Sequence, residues 1–567
     1  MRMPSLQFMV LPLAGLIGLS LFCLTFGTSI LDGRQFGWMI HGDSAQHYLG
    51  WAFFRSSDWH WPLGLIDNFG YPFSTTITFT DSIPLVALPL KLFSGFLPLE
   101  FNYFGWWMAG CAVLNAVFAA AILRGQGLPP LPTLTGAAFF AIAPCLMLRG
   151  YGHESLMAQW LIPASFLLYL RASPDLVWRV GWSLLLASAL LVHPYFFVMS
   201  AAVFGASLIR LVWFEKSLSV RQAAFWCLCN AALALLVMFA AGYFYGDDKS
   251  LAAVGYPNYS ANLLTWFDPM NWKQFLLDYQ RDPAGKGEWS RLLPPLGQAH
   301  RDQYEGFAYL GAGMIALIVL ALLHSVSRIP VGASLLAISA YREQARSYIP
   351  SGQSCRALLP LLAAVVLLAL YSFSTKLTFG SYVLFDLPLS SPMQQFLSIY
   401  RACGRFIWPA TYLLMLWSLI QVWRHLPRAA TTLILLAALG LQIYDLSDKM
   451  REFRELLGSP QPYLQPLSDP AWEQAMQHAT HLIALDDTTN SDDWIALSVL
   501  AARHGVPTSA ALVSRVNEKK LAAWINSRKD EVQQGMLQPG HVYVSRQTLP
   551  APAGWHLTQA NGWWVLW

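Results

Sequence analysis

The chain has 567 residues, of which 55% are hydrophobic and only 12% are charged. A soluble domain usually carries about 25% charged residues. No soluble fold of this length could bury so much apolar surface, whereas lipid accommodates it. The net charge of +4 and the lack of a basic stripe argue against nucleic acid as a partner. The composition therefore predicts an α-helical polytopic membrane protein.

Apolar runs recur along the first 446 residues, and a spanning helix requires about 20 such residues. The first run follows Arg2 and is too long for a signal peptide, so we interpret it as a membrane helix. We predict about eleven spans, at approximately 8–30, 103–123, 133–149, 156–171, 180–193, 195–213, 223–245, 306–325, 357–374, 405–423 and 430–446.

The segment from Ser82 to Pro98 is apolar but barely long enough to span, and Pro84, Pro89 and Lys91 interrupt it. We predict a helix at the membrane surface. Counting it as a span would move the later cationic loops outside the cytoplasm, against the positive-inside bias. The loops assigned to the cytoplasm contain Arg124, Arg171, Arg179, Lys216, Arg221, Arg328, Arg342, Arg346, Arg356, Arg424 and Arg428.

This topology places the N-terminus in the cytoplasm and three large pieces outside, namely loops 31–101 and 246–304 and the tail. We divide the chain into a membrane domain, 1–446, and a periplasmic α/β domain, 447–567. The tail alternates apolar and polar patterns, which indicates a small soluble α/β domain. Its predicted strands are His481–Leu485, Ser509–Ser514, His541–Ser545 and Gly562–Trp567, and its predicted helices are Trp494–His504 and Asn517–Gln534.

The first outer loop contains the main candidate catalytic residues. In a helix, Asp43, His47 and Trp51 would share one face, at spacings of four residues. Asp43 followed by Gln46 also fits a helix N-cap with its reciprocal partner. The sequence leaves both interpretations open. Tyr48 and Trp51 are candidate substrate-binding residues, because aromatic rings line sugar and lipid sites.

A second carboxylate, Asp81, stands at the other end of the same loop. It too fits a helix cap, with Pro84 in the first turn. The functional interpretation rests on the combination, because two carboxylates bracket one loop close to the bilayer, where uncompensated charge is costly.

Further polar residues are predicted at the same membrane face. His153 and Glu154 lie in a very short loop, His193 joins two spans, and Glu305 begins the eighth span. Each of these also fits a structural polar group at a membrane edge. We include all four as candidate substrate-binding residues.

Arg401 and Arg405 are four residues apart at the predicted outer start of the tenth span, where positive charge runs against the usual bias. Arginine presents a planar fork of donors suited to phosphate. The alternative is that the two side chains extend towards lipid headgroups. Both interpretations remain open.

This arrangement resembles the GT-C class of membrane glycosyltransferases, and more closely a bacterial branch with an acidic motif in the first outer loop. The resemblance covers Phe8 to about Tyr444 and lies mostly in the architecture. It implies a polyprenyl-phosphate-linked sugar donor and a site facing away from the cytoplasm. Asp43 matches the acidic residue after the first span, Asp81 a second acidic residue, and Arg401 or Arg405 the cation that holds the donor phosphate.

The resemblance implies an enzyme of the bacterial inner membrane that transfers a sugar, with inversion, to an extracytoplasmic glycan, lipid or protein acceptor. No cofactor is required. The class often has an acidic pair or a DxD at the start of the first outer loop, and this chain has neither, so a divalent cation is not indicated. Two other functions remain open, a transporter or flippase of a lipid-linked or polar solute and a non-catalytic envelope scaffold. The absence of an internal repeat weakens the transporter interpretation.

Overall fold

The structure, a computed structural model, describes residues 6–171, 173–246, 254–270, 288–326, 355–488, 491–514 and 516–567. Its helices are α1 Leu6–Phe26, α2 Gly42–Ser56, α3 Pro84–Lys91, α4 Phe104–Gly125, α5 Pro130–Ala141, α6 Pro144–Leu148, α7 Leu161–Tyr169, α8 Leu176–Val192, α9 Pro194–Ile209, α10 Val220–Ala241, α11 Ala312–Val326, α12 Leu359–Ser372, α13 Ser391–Leu397, α14 Trp408–His425, α15 Arg428–Leu457, α16 Pro470–Met476, α17 Asp493–His504 and α18 Glu518–Gln533. Arg328, Arg342, Arg346 and parts of the predicted loop 246–304 lie outside the described residues.

Seven helical stretches in the described part of the chain are long and apolar enough to cross a membrane. They are Met9–Phe26, Phe104–Gly125, Pro130–Leu148, Pro194–Phe214, Val220–Ala241, Cys403–His425 and Arg428–Leu457. Three shorter apolar helices, Leu176–Val192, Ala312–Ser325 and Arg356–Ser372, coincide with further predicted spans. The predicted positions of these ten segments therefore agree with helices in the structure, whereas the number that crosses a bilayer stays a prediction.

Two apolar segments differ in length from a spanning helix. The predicted span 156–171 forms a 3₁₀ helix, Glu154–Trp160, followed by the nine-residue α7. The backbone at Ala158, within the 3₁₀ helix, is non-helical. The segment is therefore not one continuous α-helix, and its crossing of the bilayer stays a prediction. The segment from Ser82 to Pro98 forms the eight-residue α3 and a short 3₁₀ helix, Ser94–Phe96. At 1.5 Å per residue, α3 is about 12 Å long and cannot cross about 30 Å of hydrocarbon.

Short strands cluster in the loops and the tail. They are β1 Leu65–Ile66, β2 Thr75–Thr76, β3 Val254–Pro257, β4 Lys376–Phe379, β5 Tyr382–Asp386, β6 His481–Ala484, β7 His541–Ser545, β8 Leu557–Ala560 and β9 Trp563–Leu566. The last four form one sheet in the order β6-β7-β9-β8, in which β6 and β7 are parallel and the other neighbours are antiparallel. The tail is thus a sheet-containing domain, with α17 and α18 in the crossover between β6 and β7.

Two details of the tail correct the sequence prediction. The segment Ser509–Ser514 is not a strand. Next to the sheet, the chain here forms an isolated bridge between Thr508 and Leu482, and Ser509 adds two hydrogen bonds to β6. The edge strand β8 escaped prediction because its four residues, Leu557–Ala560, lack the apolar alternation of a half-buried strand.

The tail packs against the first loop, which follows α1. The carbonyl of Thr508 accepts hydrogen bonds from two amides of that loop, at 3.0 and 2.9 Å, and its own amide donates to a carbonyl of the loop at 3.1 Å. The side chain of Arg503 in α17 pairs with Glu100 at 2.7 Å. These contacts hold the tail next to α2, the helix that carries Asp43.

Candidate functional site

Asp43 and His47 lie on α2, and the start of this helix decides between the two interpretations of Asp43. The N-cap of α2 is His41, and Asp43 lies in the first turn without forming the predicted cap. The side chain of Gln46 donates instead to the carbonyl of Leu512 in the tail, at 2.9 Å. The predicted capping pair of Asp43 and Gln46 is therefore wrong.

The N-terminal half of α2 packs directly against the segment that contains Asp81. A Cβ atom on Gly50 would lie 2.3 Å from the hydroxyl of Thr80 and 2.4 Å from that of Ser82, so only glycine allows this approach. The Ser82 hydroxyl donates to the carbonyl of His47 at 2.6 Å. This packing brings the two ends of the first loop together.

Asp81 does not cap α3. The N-cap of that helix is Ile83, with no side-chain capping bond, and Pro84 occupies the first turn. Asp81 itself has φ of 52°, a conformation that non-glycine residues rarely adopt and that a functional constraint often accompanies. Its side chain is 36% exposed and lies 3.8 Å from Nε2 of His193. The predicted cap is wrong, and the carboxylate is partly exposed.

The carboxylate of Asp43 is accessible yet poorly hydrated. Its side chain is 53% exposed, and Oδ2 lies 3.3 Å from Nε2 of His153. Loss of water around the carboxyl raises its pKa above the ordinary value, and the positive charges of His47 and Arg401 offset part of that increase, while the charge of Asp81 adds to it. A carboxylate with a raised pKa is a better proton acceptor than an ordinary one.

A buried ion pair lies beneath Asp43. Nδ1 of His47 contacts Oε2 of Glu154 at 2.6 Å, and the hydroxyl of Ser44 donates to Oε1 at 2.6 Å. Burial opposes ionisation of both groups, but their hydrogen bond and mutual attraction outweigh it. The pKa of His47 is consequently raised and that of Glu154 lowered. The pair fixes α2 to the short loop that also carries His153.

A second buried network joins three distant parts of the chain. Nε and Nη2 of Arg405 donate to the two carboxylate oxygens of Glu305, at 2.8 and 2.7 Å, and Arg149 donates to Oε2 at 2.8 Å. All three side chains are almost fully buried. Burial would raise the pKa of Glu305, but the two guanidinium charges hold it well below its usual range.

The approach of Glu305 to Arg405 depends on two adjacent glycines. A Cβ atom on Gly404 would lie 2.7 Å from Cα of Gly306, and one on Gly306 would lie 2.4 Å from Cα of Ala261. The two backbones therefore meet without side chains between them. This contact places the neighbouring residues, Glu305 and Arg405, at hydrogen-bond distance.

Arg401 and Arg405 do not share one helical face, in contrast to the prediction. Ala402 interrupts the helical backbone between them, with φ of −90° and ψ of 61°. Arg405 is buried and donates two hydrogen bonds to Glu305, whereas Arg401 is exposed and lies over the ring of Tyr259, 5.9 Å from its centroid. Arg401 forms no ion pair within the described part of the chain. Of the two cations, only Arg401 is accessible to a ligand.

His153 and His193 are neutral groups beside the two carboxylates. Burial is the main cause that lowers the pKa of His153 well below its ordinary value and that of His193 to about 4. Nδ1 of His193 accepts from the amide of Tyr195 at 3.4 Å, so the proton of the neutral ring is on Nε2, the atom nearest Asp81.

Two of the predicted residues lie away from this cluster. The indole of Trp51 is fully buried and donates to the carbonyl of Phe101 at 2.8 Å. Tyr48 is buried and stacks on Phe36, with ring centroids 4.6 Å apart. Both side chains stabilise the packing of α2, and neither is accessible to a substrate at the carboxylates.

We define the site cluster by ten residues: Asp43, His47, Asp81, Arg149, His153, Glu154, His193, Glu305, Arg401 and Arg405. The sequence also places Arg149 in the short outer loop of His153 and Glu154, but Arg149 was not among the predicted substrate-binding residues. Ser44 was missed as well, because a serine next to Asp43 carries no signal of its partner 110 residues away. Among the described residues, no group of three or more His, Cys, Asp or Glu side chains is arranged to hold a metal ion.

Comparison with models of known families shows to which family the chain belongs. A family model described as "Domain of unknown function (DUF6311)" matches residues 15–447, and a model of the DUF6311 C-terminal domain matches residues 471–566. The chain belongs to the DUF6311 family. Every residue of the site cluster falls within the stretch matched by the first model.

The solved structures that are similar to this chain include an oligosaccharyltransferase. The apo oligosaccharyltransferase of Archaeoglobus fulgidus is 12% identical to this DUF6311 chain, with a TM-score of 0.43 over 95% of this chain and 69% of that one. Similarity at this level carries no argument about mechanism. No curated protein matches the DUF6311 chain. Its function therefore has to be inferred from the site cluster.

Proposed function

We propose that the chain is a membrane glycosyltransferase that moves a sugar from a polyprenyl-phosphate-linked donor to an extracytoplasmic glycan, lipid or protein acceptor, with inversion. The observation that carries the proposal is that the carboxylate of Asp43 and the guanidinium of Arg401 both stay exposed, while the ionic groups around them are buried and paired with one another. Displacement of a phosphate by a hydroxyl requires a proton acceptor and a cation for the leaving group.

In the proposed reaction, the acceptor hydroxyl attacks the anomeric carbon of the donor sugar. Asp43 takes the hydroxyl proton as the new glycosidic bond forms. The bond between the anomeric carbon and the phosphate oxygen breaks, and the lipid phosphate leaves with the electron pair, stabilised by Arg401. A single displacement of this kind inverts the anomeric centre.

The other groups of the site cluster position these two. His47 and Glu154 fix the helix that carries Asp43, and Glu305 with Arg405 fixes the segment that follows Arg401. Asp81 is exposed at the same opening and suits the orientation of the acceptor hydroxyl. A neutral imidazole next to each exposed carboxylate can donate a hydrogen bond without neutralising its charge.

A cavity beside the first loop offers room for an acceptor. A cavity of about 420 Å³ is lined by aromatic and hydroxyl side chains from the first loop, the end of α10 and the tail. Phe79, two residues before Asp81, belongs to its wall, as do Tyr245 and Ser514. Aromatic faces with adjacent hydroxyls suit a sugar ring.

Transfer itself is the first test of the proposal. Membranes from cells with and without the protein would be supplied with radiolabelled polyprenyl-phosphate sugars, and label in the acceptor fraction would be measured. We expect transfer that depends on the protein and is lost in Asp43→Asn. Equal transfer by membranes without the protein, or by the Asp43→Asn variant, would contradict the proposal.

Arg401→Ala is expected to weaken binding of a lipid phosphate by about 10–100-fold, because hydrogen bonds to charged groups contribute about 1.5–3 kcal/mol. Arg401→Lys is expected to retain part of the affinity, since the charge remains and the planar fork is lost. Binding would be measured by titration in detergent. Arg221→Ala, an exposed arginine at the start of α10, is the matched control. Wild-type affinity in Arg401→Ala would eliminate this role.

The proposed site requires the first loop and the tail to face the periplasm. Cysteines introduced at the exposed positions Ser56 and Ser468, in a Cys227→Ser background, are expected to react with an impermeant reagent in cells with a permeabilised outer membrane. The expectation follows from the arginine-rich loops that the positive-inside bias assigns to the cytoplasm. Protection of both cysteines until the inner membrane is disrupted would reverse the assignment.

A further inference from the structure

A run of exposed apolar side chains follows α12 and ends just before Arg401. Between residues 377 and 400 the only charged side chain is Asp386. We call this surface the apolar strip, and its members are Phe379, Tyr382, Val383, Leu384, Phe385, Leu387, Met393, Phe396 and Ile399, which are all at least 36% exposed. The strip comprises the hairpin β4–β5 and the short helix α13.

The hairpin is not a membrane-spanning element. All five residues of β5 are exposed, and among the strands that the structure describes β5 pairs only with β4. A two-stranded hairpin leaves backbone groups unpaired at its edges, which the hydrocarbon core of a bilayer does not tolerate. In water, such a hairpin would be marginal and would expose a large apolar patch. The strip connects α12 to the apolar helix α14, so its natural place is the boundary between hydrocarbon and water.

The hairpin is fixed to the segment that carries Glu305. The side chain of Asn262 accepts from the amide of Gly380 and donates to its carbonyl, both at 2.9 Å. The side chain of Gln303 donates to the hydroxyl of Thr378 at 2.7 Å. Since Gln303 lies two residues before Glu305, the apolar strip has a fixed position relative to the site cluster.

The strip also ends directly before the exposed side chain of Arg401. Ile399, its last member, is 36% exposed and precedes Arg401 by two residues. An exposed apolar surface thus lies next to an exposed cation. A lipid phosphate has the matching arrangement, with its hydrocarbon chain next to its anionic phosphate. A soluble protein partner would not need a phosphate-binding group at the end of an apolar surface.

We propose that the apolar strip binds the prenyl chain of the lipid-linked substrate while Arg401 binds its phosphate. This inference rests on the proposed function and assigns the chain-binding surface, which the site cluster does not contain. The length of the prenyl chain then contributes to the affinity for the lipid through the hairpin. The phosphate contributes to that affinity independently, through Arg401.

The test measures the binding of two probes, a long polyprenyl phosphate and its short-chain analogue farnesyl phosphate. Each probe is titrated against the full-length protein in detergent. The variant is Leu384→Ser/Phe385→Ser, which changes one side chain on each face of β5. Both positions are more than half exposed, so substitution is expected to leave the fold intact. The control is Leu235→Ser/Leu236→Ser, a pair of equally exposed neighbours on α10.

We expect the hairpin variant to bind the long-chain probe about tenfold more weakly than wild type, because apolar contact area is lost, and to bind farnesyl phosphate unchanged. The α10 variant is expected to match wild type for both probes. Arg401→Ala should weaken the binding of both probes by the same factor.

Other outcomes separate the inference from the proposed function. An unchanged ratio of long-chain to short-chain affinity in the hairpin variant would mean that the strip contacts only bulk lipid, and the inference would fail while the donor site stands. An equal loss for both probes would make the hairpin a structural support and would overturn the inference too. If Arg401→Ala changes the binding of neither probe, the donor site of the proposed function is wrong, regardless of the result for the hairpin variant.

Discussion

Asp43→Asn is expected to lower the rate of sugar transfer by about 10²–10⁴-fold, the usual contribution of a general base. Asparagine has nearly the same shape but cannot accept the proton. Because His41, and not Asp43, is the N-cap of α2, the substitution removes no capping bond. The variant should therefore bind the lipid phosphate and unfold like the wild type. The measurement is initial transfer rate at saturating donor, with donor binding and thermal unfolding in detergent alongside.

The pH dependence of transfer gives a second measure of the same role. A base acts only when deprotonated, so transfer should fall as pH decreases through the pKa of Asp43. Because the lost hydration raises that pKa, the fall begins at a higher pH than for an ordinary carboxylate. Asp58→Asn, an exposed carboxylate of the same loop, is the control and should keep both rate and profile. If Asp81→Asn abolishes transfer and Asp43→Asn retains it within about threefold, Asp81 is the base and our assignment is wrong.

Arg405→Ala is expected to destabilise the fold by about 3–5 kcal/mol, because it leaves a buried carboxylate without its bidentate partner. The Glu305 side chain would keep only the hydrogen bond from Arg149. The variant should unfold at clearly lower temperature in detergent, and any loss of transfer should accompany loss of folded protein. Arg401→Ala is the matched control, since an exposed arginine without an ion pair typically changes stability by no more than about 0.5 kcal/mol.

A double-mutant cycle tests whether the effect comes from the ion pair. Glu305→Gln removes the negative charge that makes the loss of Arg405 costly. The variant Arg405→Ala/Glu305→Gln should therefore lose less stability than the sum of the two single changes, by about 0.5–3 kcal/mol. Strict additivity would show that Arg405 stabilises the fold through its other contacts, such as the ring of Tyr195, which lies 4.7 Å from the guanidinium.

The charged residues of the site cluster form a buried group and an exposed group. The buried pairs, His47 with Glu154 and Glu305 with Arg405, are mutually satisfied and hold four chain segments together. The exposed groups, Asp43, Asp81 and Arg401, are the ones left to meet a ligand. Such a division gives reactive groups a fixed geometry, because the side chains that support them have no freedom to rearrange.

Much of the architecture was determined by local sequence. Apolar runs predicted the positions of α4, α9, α10 and α14, because a helix that must satisfy its own backbone in lipid needs an unbroken apolar stretch. Patterning likewise predicted β6, β7, β9, α17 and α18 in the tail. It failed where an apolar run is broken by non-helical backbone, as at Ala158, and where an edge strand lacks apolar alternation, as in β8.

The sequence also determined that carboxylates and arginines gather at particular loops, but not what each of them does. A helix cap and a free carboxylate look alike in sequence, and only the start of α2 at His41 showed that Asp43 is free of capping. Two arginines four residues apart also look equivalent. Only the contact of Gly404 with Gly306 decided that Arg405 is buried against Glu305 while Arg401 stays exposed. Such roles depend on partners 100 or more residues away, which residue spacing along one chain does not encode.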